Sequence, residues 1–179
     1  MSDIKKLESI FNKYGFPDFK WIDPREIVTA EWVRIKCTFG CGNFGRRACC
    51  PPNLPPVSQC RQFFNEYASG VIFHFPKAVD KPDDRHQWGR ETNQRLVAIE
   101  REIFLMNYPK TFLLPMSVCN ICEECAAKKE DCKNPKSARP APEGMGIDVY
   151  STAQKFGFPI EVLTDYSQPM NRYAFLLIE

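Results

Sequence analysis

The side chains with the clearest chemistry in this sequence are four cysteines in its second half. Cys119, Cys122 and Cys125 are each separated by two residues, and Cys132 follows after six more. Cysteines at this spacing can offer three thiolates from one tight loop to three corners of an iron–sulfur cubane, as in bacterial ferredoxins. In that run a further cysteine follows after about three residues and precedes a proline. Pro135 is present here, so Cys132 is either the fourth ligand, held by a longer loop, or serves elsewhere.

Zinc is the alternative metal for this segment. A structural zinc site takes four tetrahedral ligands and usually pairs one Cys-x-x-Cys with a second pair elsewhere in the chain. Three ligands from one short loop suit that geometry less well than they suit a cubane. Glu123 and Glu124 lie between the cysteines, so the loop is too polar to be core. The sequence therefore favours a 4Fe-4S cluster bound by Cys119, Cys122, Cys125 and Cys132.

A second group of cysteines is spread over residues 37–60 and has no short repeat. Cys50 begins a Cys-Pro-Pro step, and a proline after a ligand stiffens the loop as in the ferredoxin run. Neighbouring side chains in extended backbone point in opposite directions, so Cys49 is not expected to share one cubane with Cys50 and is left spare. The predicted ligands of a first 4Fe-4S cluster are Cys37, Cys41, Cys50 and Cys60, although Cys60 falls on a predicted helix.

The first cysteine segment is also basic. Residues 34–61 contain no carboxylate and five basic side chains, namely Arg34, Lys36, Arg46, Arg47 and Arg61. Positive charge beside a cluster with four thiolates favours its reduced, more negative state. The same charges could instead receive an anionic substrate, dock an acidic redox partner or form an ordinary solvated surface.

Composition and missing motifs exclude several classes of function. The net charge of +2 gives no case for nucleic acid or membrane binding. No apolar run is long enough to span a membrane, and the charged start is unlike a signal peptide. We therefore expect a cytoplasmic protein, in whose reducing compartment structural disulfides are rare. Glycine-rich nucleotide loops are absent, and of the two histidines we expect His74 in a core strand and His86 on a helix surface.

The hydrophobic periodicity predicts the elements that must position these cysteines. The predicted helices cover residues 4–14, 56–67, 84–108 and 148–155. The predicted strands cover residues 27–35, 71–75, 111–116, 160–163 and 173–178, with Pro76 ending the second of them. This order predicts an α/β (α+β) fold, a small mixed sheet flanked by helices, in which two cysteine-rich loops leave the ends of strands.

Taken together, these residues resemble the DUF2284 family of predicted metal-binding proteins. The resemblance rests on Cys37, Gly40-Cys41, Asn43-Phe44-Gly45, Cys50-Pro51-Pro52, the four cysteines from Cys119 to Cys132, Pro135, Ala138-Arg139-Pro140, Glu143 and Gly146-Ile147-Asp148-Val149. It implies metal binding and iron–sulfur clusters, and it does not supply a reaction. Cys49 departs from the family pattern. We expect Arg139 to act in cofactor binding, as a fixed positive charge beside the second cluster; the alternative is a salt bridge to Glu143.

The sequence thus predicts one domain over residues 1–179, with a first cluster segment at 34–61 and a second, ferredoxin-like segment at 116–149. We expect two 4Fe-4S clusters that transfer electrons within a larger redox system, through a partner protein bound at the basic surface near the first cluster. The alternatives are a small iron–sulfur enzyme with one open iron that acts on an anionic substrate, and a zinc-binding interaction module.

Overall fold

The computed structural model describes residues 3–78, 81, 83–165 and 168–179. Two short 3-10 turns, Pro24–Glu26 and Glu143–Met145, accompany the main elements. In chain order these elements are α1 (Asp3–Lys13), β1 (Phe19–Ile22), α2 (Glu31–Gly40), α3 (Val57–Phe64), β2 (Gly70–Lys77), α4 (Asp84–Leu105), β3 (Phe112–Leu114), α5 (Val149–Lys155) and β4 (Met170–Leu177). The α+β class predicted from the sequence is confirmed.

The sheet has the strand order β1-β2-β4-β3, and every pairing among these described strands is antiparallel rather than mixed. Side chains alternate across it with a period of two. Phe73 of β2 faces a core formed with α1 and α4, whereas Ile72 faces a second core formed with α3 and α5. The sheet is therefore buried between two helical layers, which explains why β2 and β4 are almost wholly apolar.

Most of the predicted elements lie where the periodicity placed them, but two predicted strands are wrong. Residues 27–35 were expected to form a strand, and α2 begins at Glu31 instead. Val33 is the buried residue of α2, so only a narrow part of this helix packs against the core. The β-branched residues of the helix gave this segment the composition of a strand. Residues 160–163 are irregular and mostly exposed, so no buried face stabilises a strand there.

Two further differences concern the edges of the sheet. The short strand β1 was not predicted, because only Ile22 of its four residues is buried and it shows little alternation. Pro76 lies inside β2 rather than ending it. The pairing of β2 with β1 stops at Phe73, so beyond that point this edge of β2 is not paired with β1. Pro76, which lacks a backbone N–H, is tolerated there because no hydrogen bond to β1 is required. Within the described residues, no helix is long and apolar enough to cross a bilayer.

Candidate metal centre

The cysteines of the second segment converge on one small pocket. Cys119, Cys122, Cys125 and Cys132 line it. They lie in the irregular segment that follows β3, where regular backbone hydrogen bonding does not compete for N–H groups. The amide nitrogen of Ala48 donates to Cys125 Sγ at 3.3 Å, and Asn134 Nδ2 donates to Cys122 Sγ at 3.1 Å. Such donors stabilise negative charge on sulfur, as a thiolate-bound cluster requires.

Cys49 is the fifth cysteine at this pocket. The neighbouring Cys119 raises the pKa of the Cys49 thiol, and Cys49 in turn lowers the pKa of Cys119. The sequence left Cys49 spare beside the first segment, and the structure places it at the second. Although Cys49 and Cys50 are adjacent, they line two different pockets.

The turn that carries Cys49 is held against the second segment by two further contacts and is closed by one contact of its own. Arg47 Nη1 donates to the carbonyl oxygen of Cys119 at 3.0 Å. Asn53 Nδ2 donates to the carbonyl oxygens of Ala127 at 2.9 Å and Arg47 at 3.2 Å. The two cysteine segments, more than fifty residues apart in the sequence, therefore contact each other directly.

The first site is formed by three cysteines. Cys37, near the C-terminal end of α2, and Cys41, directly after it, share a cavity of about 600 Å³ with Cys50. A neighbouring cavity of about 540 Å³ also has Cys37 and Cys41 in its wall. Desolvation is the main cause that raises the pKa of Cys37 and raises the pKa of Cys50 to about 11. These groups are thiols near neutral pH, and a bound metal would have to displace their protons.

Cys60 is not brought to this cavity. It lies on α3, in the core that also contains Ile72, where it is 1% exposed. Its Sγ is 3.6 Å from the carbonyl oxygen of Pro55 and 3.9 Å from Met145 Sδ, and burial raises the pKa of its thiol. These contacts are those of a small apolar core residue.

A carboxylate and an arginine complete the first site, and sequence reasoning missed both roles. Glu143 and Arg172 line both cavities together with Cys37. Glu143 is exposed at the cavity wall; desolvation raises the pKa of its carboxyl, and the positive charge of Arg172 opposes that shift. Arg172 comes from β4, far from either cysteine segment in sequence. The sequence signal for Arg172 was a charged residue within a mostly apolar strand.

Arg139 has a different side-chain partner from the one considered in the sequence. Its Nε donates to Glu100 Oε1 at 2.8 Å, so the expected alternative, a salt bridge to Glu143, is wrong. Glu100 also accepts from the amide of Leu113 at 2.9 Å. The backbone N–H of Arg139, rather than its side chain, acts on the second site, where it helps to lower the pKa of Cys119.

Several charges of the basic segment are used inside the fold. An Nη of Arg34 donates to the carbonyl oxygens of Pro55 and Gly144. Arg61 donates to both oxygens of Thr29, and Lys36 lies over the ring of Trp32. These contacts account for a large part of the positive charge without a ligand or a partner. His74 is a core strand residue as predicted, with its ring nitrogens 2.7 Å from Asp18 and Asn171 oxygens.

Across residues 3–78, 81, 83–165 and 168–179, no three His, Cys, Asp or Glu side chains are arranged to hold a single metal ion. A cubane presents its irons at separate corners, so its ligands stand farther apart than those of one zinc ion. The thiols of the second site and the N–H groups that donate to their sulfurs have the chemistry that such a group requires, although the pocket between the thiols measures only about 10 Å³.

The fold and these cysteines define a metal-binding α+β protein. Residues 20–178 match the sequence profile of DUF2284, which is described as a predicted metal-binding protein. The chain belongs to this family, as its cysteine pattern indicated. No curated protein and no solved structure matches the chain.

Proposed function

We propose that this protein binds two 4Fe-4S clusters and performs redox chemistry at the first, with electrons supplied by the second. The observation that carries the proposal is the division of the nine cysteines. Five surround the second pocket, and Cys60 lies in the core. The remaining three, Cys37, Cys41 and Cys50, share a cavity of about 600 Å³ to which no other cysteine contributes within the described chain.

A three-cysteine cubane keeps one iron without a protein thiolate. Catalytic metal sites generally retain one such open position, whereas a site that only carries electrons does not need one. The cavity beside these cysteines has room for a small ligand as well as the cluster. This arrangement favours the enzyme alternative for the first site and leaves the role of electron carrier to the second.

The charges around the first cavity support an anionic substrate. Arg47 and Arg172 line it, and Glu143 is the acidic side chain among its lining residues. When bound, the cluster would supply an iron that accepts a ligand and exchanges single electrons. In this proposal Arg172 holds the anion beside that iron, and Glu143, whose pKa is raised by desolvation, holds a proton next to it.

The second cluster is suited to deliver electrons. Its pocket has more than enough thiols for full ligation. Cys49 and Cys50 are consecutive residues that face the two sites, so the sites lie next to each other. Electrons would enter from a partner protein at the second cluster or at exposed basic residues such as Lys36 and Arg46. The partner and a cytoplasmic location remain predictions from the sequence.

The test begins with anaerobic purification and chemical analysis. We expect about eight irons and eight sulfides per chain, as two cubanes require. Stoichiometric zinc with little sulfide would refute the proposal and favour the zinc-binding interaction module instead.

The open iron is tested by titrating the reduced protein with small anions and thiols while its electron paramagnetic resonance spectrum is followed. One of the two signals should change. The response should persist in a Cys122→Ala variant, which removes a ligand of the second site, and disappear in Cys50→Ala, which removes one of the first. If neither wild-type cluster responds, both clusters are fully ligated and the protein is an electron carrier only.

A further inference from the structure

A second cavity adjoins the three-cysteine site. This neighbouring cavity measures about 540 Å³, within the range of small-molecule sites. Cys37, Cys41, Glu143 and Arg172 line it and also line the cavity of about 600 Å³ that contains Cys50. A cluster bound by Cys37, Cys41 and Cys50 would therefore border both cavities.

The wall of the neighbouring cavity collects exposed apolar side chains from three parts of the chain. Trp32 of α2 is 47% exposed and Tyr150 of α5 is 41% exposed. Val162 and Leu163, in the irregular segment before β4, are 74% and 38% exposed. Single exposed apolar residues are ordinary on a protein surface, but several that converge on one concavity mark a binding site. A ligand with an apolar body would complete the burial of these side chains.

The same wall offers a positive charge to an anionic group. Arg172 belongs to none of the ion pairs among the described residues. Lys36, the other basic side chain of the wall, lies over the Trp32 ring, 5.1 Å from its centroid. Asp148 is occupied, because its two oxygens accept from the backbone N–H of Ser151 at 3.0 Å and from its hydroxyl at 2.6 Å. Arg172 is therefore the charge with which a ligand can pair.

The polar part of the wall is built on the sheet. Asn171 and Arg172 are consecutive residues of β4, and both line the neighbouring cavity. Asn171 Oδ1 lies 2.7 Å from Nε2 of the buried His74, and Nδ1 of that ring lies 2.7 Å from Asp18 Oδ2. These contacts fix a polar side chain beside the guanidinium, and a group that is fixed before binding loses little freedom when a ligand arrives.

We propose that the neighbouring cavity binds a carboxylic acid with an aromatic or branched apolar body, as the anionic substrate of the first site. The carboxylate pairs with Arg172, and the apolar body packs against Trp32, Val162 and Leu163. An inorganic anion takes the space of only a few water molecules, each about 30 Å³, so an organic anion fits this cavity better. The inference rests on the proposed function, because it names the substrate class of the same site.

The first test is isothermal titration calorimetry of the anaerobically purified full-length protein with 3-phenylpropionate. Two further probes separate the parts of this molecule. Propionate has the carboxylate without the ring, and 3-phenylpropionamide has the ring without the charge. Each should bind at least about tenfold more weakly than 3-phenylpropionate, because one loses the burial of the ring and the other loses the charged hydrogen bonds to Arg172.

Variants locate the bound acid. Trp32→Ala should weaken binding of 3-phenylpropionate about two- to tenfold. Phe39→Ala is the matched control, because Phe39 is 83% exposed on the same helix but lies in neither cavity wall, and it should leave binding unchanged.

The charge is tested in the same way. Arg172→Gln should weaken binding of 3-phenylpropionate about tenfold or more and Arg172→Lys should weaken it less. Binding of 3-phenylpropionamide should be the same in Arg172→Gln as in the wild type, which distinguishes a lost charge contact from a damaged fold. Arg101→Gln, which removes an exposed charge on α4 outside both cavity walls, should change neither affinity.

Electron paramagnetic resonance of the reduced protein separates this inference from the proposed function. We expect 3-phenylpropionate to change the signal of the first cluster and to leave that of the second unchanged. Stoichiometric zinc with little sulfide would refute the proposed function, whereas binding that still depends on the ring, the charge and Arg172 would support the cavity as an organic-acid site.

An iron-loaded protein that does not bind 3-phenylpropionate, or binds propionate equally well, would refute the inference alone. Equal binding of the acid and the amide would remove the role of Arg172 and indicate an apolar docking groove instead. Selective binding that leaves the first cluster's signal unchanged would place the acid away from the iron and refute its role as substrate.

Discussion

The ion pair between Arg139 and Glu100 leads to a quantitative prediction. It links the long helix α4 to the segment that ends the second cysteine loop. The Glu100 side chain is 5% exposed and that of Arg139 is 20% exposed. Replacing Arg139 with alanine leaves a buried carboxylate whose other described donor is the amide of Leu113. We expect this unpaired charge to destabilise the fold.

Its magnitude follows from the burial of the two groups. Removing one partner of a buried ion pair costs about 3–5 kcal/mol. Leu113 still donates to Glu100, and the arginine is partly accessible to water, so the lower end applies. We therefore expect Arg139→Ala to lower the free energy of unfolding by about 3 kcal/mol, a change of about a hundredfold in the equilibrium constant.

The assay measures urea unfolding of the metal-loaded variants by far-ultraviolet circular dichroism and compares the unfolding midpoints. Lys13→Ala is the matched control. Lys13 of α1 pairs with Glu102, which lies on α4 like Glu100, but this pair is at the exposed surface, where ion pairs contribute little. The double variant Glu100→Gln/Arg139→Ala should be more stable than Arg139→Ala alone. Glutamine keeps an acceptor for the Leu113 amide and removes the buried charge.

Two results would show that this reasoning is wrong. One is an equal midpoint for Arg139→Ala and Lys13→Ala. The other is a failure of the glutamine substitution to recover stability. If Arg139→Ala instead loses iron at unchanged stability, the guanidinium acts on the cluster, as the sequence first suggested.

Three further variants or treatments test other parts of the structure. A Cβ on Gly146, whose φ is 80°, would lie 2.8 Å from both methyl groups of Val57; Gly146→Ala should cost about 3 kcal/mol in urea unfolding. Gly45→Ala, with φ of 67° but open space around it, should cost only about 1–2 kcal/mol, and equal losses would contradict the steric argument. Cys60→Ala should keep its iron and lose about 1 kcal/mol of stability, whereas a loss of about four irons would restore Cys60 as a ligand. Removing the metal with a chelator should increase amide hydrogen exchange across residues 116–140 while β2 stays protected; uniform exchange would argue against local dependence on metal.

The sequence by itself determined the features that depend on local spacing. The repeat from Cys119 to Cys125 indicated a metal-binding loop, and the rest of the cysteine pattern indicated the family. The periodicity of α1, α4 and β4 placed the main core elements, because one buried face imposes a regular pattern on the residues that form it. Local pattern was weaker where little surface is buried, as in α2 and β1, and there the prediction was wrong or absent.

Only the tertiary structure decided how the cysteines are divided between the sites. It placed Cys49 with Cys119 rather than with Cys50, buried Cys60 in the core and brought Arg172 to the cavity beside Cys37. These contacts join residues that are far apart in the chain. Periodicity records which way a side chain points from its own element, but not which distant element it meets. The partner of each thiol is set by the packing of helices and turns against the sheet.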